Sequence, residues 1–105
     1  MNDQNLITVA IKEPGKSWKQ SEVENTLKAF QTIVGGYIEH FYTSGRGVEY
    51  FCNEEGKLKG LQPNVVVRGD SIVGTIFAVR TNEEGEFVSL NEEDLMNIVH
   101  KKETK

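Results

Sequence analysis

The chain has 105 residues, of which 37% are hydrophobic and 27% charged, the proportions of an ordinary globular domain with room for one core. Its net charge of −4 comes from 12 basic and 16 acidic residues, a balance that makes nucleic acid an unlikely partner because such binding needs a basic surface to displace counterions. No run approaches the ~20 apolar residues of a membrane span, and Met1–Asn5 has neither the basic nor the apolar region of a secretory signal. The expectation is therefore one cytoplasmic domain over residues 1–105, without a membrane partner and frayed at about 1–5 and 101–105.

In chain order, the β-branched run Leu6–Ile11 predicts a first strand, closed by Glu13-Pro14-Gly15. Ser21 and Glu24 have capping-box spacing and predict a helix whose buried stripe is Val23, Leu27, Phe30 and Val34, stopped by Gly35-Gly36. Trp18 ahead of it reads as a hydrophobic staple against that helix, with a partner-binding anchor as the alternative. Tyr37–Tyr42 and Val48–Cys52 predict an antiparallel hairpin around Ser44-Gly45-Arg46-Gly47. Gly60–Asn64 reads as an irregular connection, and Val65–Val67 as either a strand or a buried crossing. Ile72–Val79, the most apolar run, predicts one central strand, followed by a short strand at Glu86–Val88. Asn91 and Asp94 open a last helix with Leu95, Ile98 and Val99 on one face, and Lys101, Lys102 and Lys105 suit its C-terminal end. The pattern is α+β, a small mainly antiparallel sheet with two packed helices.

The tetrapeptide Asn-Glu-Glu-Gly occurs twice, at Asn53–Gly56 and Asn82–Gly85. Asn first and Gly last make a hairpin connection, so Glu54 and Glu55 read as turn residues before they read as cation ligands. Cys52, the sole cysteine, sits in a strand-like run and reads as a small core residue. Gly35-Gly36 follows a helix, at its negative dipole end, and so reads as a stop signal, not a phosphate loop. Four residues stand as ligand-binding candidates: Tyr37 and Glu39 on the second strand, able to stack on and hydrogen-bond a base or ribose, and Asn64 and Arg68 in the irregular stretch after it. The plainer readings are a cross-strand aromatic contact beside a solvated Glu, and a surface Arg. No catalytic residue, cofactor or metal is expected, because no Ser-His-Asp, Cys-His or His-carboxylate spacing stands out.

Ile33-Val34-Gly35-Gly36-Tyr37-Ile38-Glu39, Cys52–Leu58, Gly60–Asn64, Ile72–Thr75 and Phe87–Leu90 together resemble a phage-associated domain of unknown function, common in phages, prophages and mobile elements of Gram-positive bacteria. The resemblance spans nearly the whole chain, departing at the spacer Thr43–Val48 and in the basic tail after His100. It implies an accessory protein encoded by a virus or mobile element, and no reaction. By analogy with such proteins, the expected role is non-catalytic: a self-associating binding protein that inhibits a host protein or sequesters a small nucleotide-like defence signal. A small metal-dependent or nucleotide-processing hydrolase is the alternative.

Overall fold

The β-branched, mostly apolar run Leu6–Lys12 (β1) is a strand, and the computed structural model, which describes residues 5–101, pairs it antiparallel with Lys19–Glu24 (β2), Ile7 opposite Val23 and Ala10 opposite Gln20. The segment assigned from sequence to the start of the first helix is thus a strand. Ser21 and Glu24 have cap spacing, but the Ser21/Val23 alternation fits a pleat equally well, and pairing with β1 decides it. Helix α1 runs Leu27–Val34 and is capped by Thr26, whose hydroxyl accepts from the Ala29 N–H at 3.1 Å. Phe30 and Val34 are buried as expected, while Leu27 faces outward and Val23 lies on β2. Gly35 closes the helix in the left-handed conformation and returns its N–H to the Gln31 carbonyl at 2.8 Å.

Ile38–Thr43 (β3) and Val48–Asn53 (β4) form the expected hairpin, with a bulge between His40 and Tyr42. The apolar run after residue 70 is two strands. Pro63–Val67 (β5) and Asp70–Val73 (β6) make a separate hairpin turned by Arg68-Gly69, and Ile76–Thr81 (β7) starts afresh. Gly74 breaks the run: its φ of +81° is left-handed, and a Cβ there would fall 2.7 Å from the Leu61 side chain. Phe87–Val88 (β8) pairs with the end of β7, and Glu92–Ile98 forms α2. The main sheet runs β2-β1-β7-β4-β3, with β8 also on β7, every pair antiparallel. A six-stranded antiparallel sheet, the separate β5–β6 hairpin and two helices make the fold α+β.

Because neighbours on β7 point to opposite faces, one strand serves two different cores. Phe77 and Val79 join Ile7, Val9, Phe30 and Val34 under α1. Ala78 joins Ala10, Val48 and Leu90 on the other face, with Leu95, Ile98 and Val99 of α2 packed against them. A third cluster of Cys52, Ile72 and Ile76 seats the β5–β6 hairpin through Val65 and Val67. Trp18 packs on this second face and not against α1, so the staple reading is replaced by a contact with Tyr50. Apart from residues 5 and 101, the expected frayed ends lie outside the described residues, as do Lys102 and Lys105.

Candidate binding site

Helix α2 is held down by a pair of charges that are not close in sequence. Arg80 on β7 donates to both carboxylate oxygens of Asp94, Nε to Oδ2 and Nη2 to Oδ1, each at 2.8 Å. Asp94 is 2% exposed and also closes a capping box with Asn91: its Oδ2 accepts from the Asn91 N–H at 2.9 Å while Asn91 Oδ1 accepts from the Asp94 N–H at 2.8 Å. The Arg80 hydrogen bonds hold the carboxyl below the usual carboxylate range, against the opposing effect of burial. Arg80 also donates to the Arg46 carbonyl at 2.8 Å, and Arg46 pairs with Glu93 at 2.6 Å, so the β3–β4 turn, β7 and α2 are tied at one corner. Asn91 and Asp94 were legible as a cap. Arg80 was not, because its partner is 14 residues away.

With α2 fixed there, its C-terminal end overhangs the sheet opposite the β5–β6 hairpin. Between them lies a cleft of about 280 Å³, near the lower bound for small-molecule sites. Its wall is aromatic: Trp18, Phe41, Tyr42 and Tyr50 line it, with Val65 and Val67 from β5 and Asn97 and Lys101 from the α2 end. The bulge in β3 makes this possible. Strict alternation, as expected from sequence, would send Phe41 and Tyr42 to opposite faces, but the extra residue turns both into the cleft. Small residues on the same face, Ala10 opposite Ala78 and Ala78 opposite Tyr50 in the strand register, leave room for this aromatic layer. Tyr50 meets Trp18 edge-on at 5.8 Å and Tyr42 tilted at 5.6 Å. Burial, then the neighbouring Tyr42 and Asp94, raise the Tyr50 phenol above its ordinary value, so it stays protonated near neutral pH and can donate a hydrogen bond.

Of the residues singled out from sequence, Arg68 does not line this cleft but touches one of its walls: its guanidinium carbon lies 5.8 Å from the centroid of the Tyr42 ring. Tyr37 precedes β3 and is 66% exposed, its carbonyl accepting from the Glu54 N–H at 2.8 Å. Asn64 is engaged in the fold: its Nδ2 donates to the Lys12 and Gly74 carbonyls at 2.9 and 2.8 Å, and its Oδ1 accepts from Lys12 Nζ at 2.8 Å. Glu39 lines a different cavity of about 320 Å³, beside the first Asn-Glu-Glu-Gly turn. The structure therefore does not gather the four around one point. Trp18, Phe41, Tyr50 and Asn97 complete the cleft instead, and no sequence signal joins them because they come from four separate segments.

That second cavity holds Glu54, Glu55, Asp70 and Cys52, and two of its carboxylates face lysines. Lys57 pairs with Asp70 at 2.6 Å and Lys59 with Glu55 at 4.0 Å. Burial, with Glu39 and Asp70 nearby, pushes the Cys52 thiol up to about 11, leaving it un-ionised at neutral pH and a poor nucleophile. Among the described residues no three His, Cys, Asp or Glu side chains converge as a metal site. A broader depression of about 730 Å³ near Phe30 and Phe87 is open, and Asn25 on its rim already donates to the Phe87 carbonyl at 3.0 Å. His40 and Glu49 meet across β3 and β4 at 2.7 Å, and Thr43 shares the same carboxylate oxygen at 2.6 Å. Among the described residues no helix is long and apolar enough to cross a membrane.

Fold and site together define a small α+β domain with one aromatic cleft between a hairpin and a helix end. The chain belongs to the DUF3846 family, a domain of unknown function whose family model matches residues 7–103. No curated protein matches the chain. No solved structure matches it either.

Proposed function

We propose that this chain is a non-catalytic binding protein whose aromatic cleft takes one small planar ligand of the nucleobase class. As an accessory protein of a phage or other mobile element, suggested by its motif resemblance, it would sequester a nucleotide-like host signal and so blunt a host defence. The carrying observation is the convergence of Trp18, Phe41, Tyr42 and Tyr50 with the Asn97 amide in about 280 Å³. Stacking on such rings is worth about 1–3 kcal/mol per base and tolerates different bases. An amide and a protonated phenol then offer the few polar contacts that orient a ligand. The un-ionised Cys52 thiol supports a binding role over covalent catalysis.

Calorimetry against nucleosides and linear and cyclic nucleotides, read alongside Trp18 fluorescence, tests this. Saturable heat with a change in Trp18 emission is expected for at least one ligand. Silence across the whole panel overturns the reading. The hydrolase alternative draws only on the His40–Glu49 pair, and turnover abolished by His40→Ala would favour it.

A further inference from the structure

We infer that the ligand of the aromatic cleft carries a phosphate, and that Arg68 at the tip of the β5–β6 hairpin is the residue that holds it. This rests on the cleft being the binding site, and adds the charge of what it binds. The first observation is conformational. Arg68 has φ +54°, and is the one non-glycine residue with positive φ among those described. It occupies the first central position of a two-residue hairpin turn, Arg68-Gly69, between the paired Val67 and Asp70. Asn or Gly takes that position with less strain. An Arg held there against local preference points to a use for its side chain.

The second observation is where that side chain goes. The guanidinium lies over the ring of Tyr42, itself a wall of the cleft. No hydrogen bond or ion pair among the described residues engages that guanidinium, so its planar fork of N–H groups is free for the two parallel bonds that meet a phosphate. The third is charge. Arg46, Lys57, Lys59 and Arg80 each face a carboxylate within 4.0 Å. Among the described residues Lys12, Lys19, Lys28, Arg68 and Lys101 form no such pair; of these, Lys101 lines the cleft and Arg68 lies over its Tyr42 wall. A protein of net charge −4 thus keeps two cations uncompensated at its aromatic opening. The carbonyl end of α2 disfavours an anion nearby. Lys101, just beyond it, offsets that effect and leaves Arg68 as the principal contact.

A nucleoside phosphate satisfies the whole arrangement: the base among Trp18, Tyr42 and Tyr50, the phosphate at the mouth against Arg68. The test is calorimetry at low ionic strength with adenosine, guanosine, cytidine and uridine, their 5′-monophosphates and cyclic dinucleotides, on the wild type and on Arg68→Asn. Asn favours the left-handed turn, so this variant keeps the hairpin while removing the cation. For the base that binds, the phosphorylated form should bind at least about tenfold more tightly than the nucleoside, and Arg68→Asn should erase most of that difference. Nucleoside and nucleotide binding alike, or a phosphate preference that survives Arg68→Asn, overturns the inference and leaves the stacking site standing. No binding by any compound removes both.

Discussion

The two faces of the main sheet come from the same strands, yet one is packed with phenylalanines beneath α1 and the other keeps a cleft walled by Trp and Tyr. Beneath α1, Phe30, Phe51, Phe77 and Phe87 pack with ring centroids 4.9–6.4 Å apart. These rings carry no polar atom, and the depression beside Phe30 and Phe87 is shallow and open, not a cleft closed by a hairpin and a helix end. On the opposite face the central residues are alanines, the rings around them are Trp and Tyr, and a cleft remains. The contrast shows how stability and recognition can be divided within one strand: Phe77 serves the first face and its neighbour Ala78 makes room for the second.

That division can be broken or sharpened by mutation. Phe77→Ala should lower unfolding free energy by about 4 kcal/mol in urea denaturation, whereas Tyr42→Ala, on the half-exposed rim, should cost about 1 kcal/mol and abolish ligand binding. Equal stability losses at both sites would remove the distinction. Asp94→Ala should cost about 3 kcal/mol, since it leaves Arg80 unpaired and uncaps α2. Asp94 has a lowered folded-state pKa, so its stabilisation is complete above the ordinary carboxylate range. It is lost as pH falls through that lowered value. The wild type should therefore lose stability toward acid more steeply than Asp94→Asn, a comparison made by thermal unfolding across pH.

Smaller effects separate the two copies of Asn-Glu-Glu-Gly. Asn53 is 5% exposed and donates to the Val34 carbonyl at 3.0 Å, joining β4 to the end of α1. Asn82 is outside the core and accepts from the Glu84 and Glu86 N–H groups, both at 2.9 Å. Asn53→Ala should cost about 2 kcal/mol and Asn82→Ala about 1 kcal/mol or less in chemical denaturation. Smallest of all, Arg68→Gly should leave stability unchanged or raise it by up to about 1 kcal/mol. A clear loss would mean that the cation–π contact with Tyr42 matters more than the strain of the turn.

What the sequence made legible was local. The β3–β4 hairpin, the Asn91–Asp94 cap and the turn at Asn82–Gly85, where Gly85 has φ +82°, each follow from residues a few positions apart. The first copy of the same tetrapeptide ends in Gly56, which has no positive φ and packs against Val73. Identical letters there serve a different turn because a helix end lies beneath them. Ser21 and Glu24 misled because a cap and a pleat share a spacing, and Ile72–Val79 misled because the left-handed Gly74 is invisible in an apolar run. The cleft was least legible. Arg68 could be named from its loop, but Trp18, Phe41, Tyr50 and Asn97 meet only through strand order, a bulge and an ion pair.

The central claim, that the face with the cleft is where this protein binds, is tested most directly by NMR chemical-shift mapping during titration with nucleoside phosphates. The account predicts saturable shifts at the Trp18 indole N–H, the Asn97 side chain and the Arg68 backbone, with the Phe30–Phe77 side of the sheet unmoved. Shifts clustered at Glu54–Lys57, or none at any ligand concentration, would contradict it.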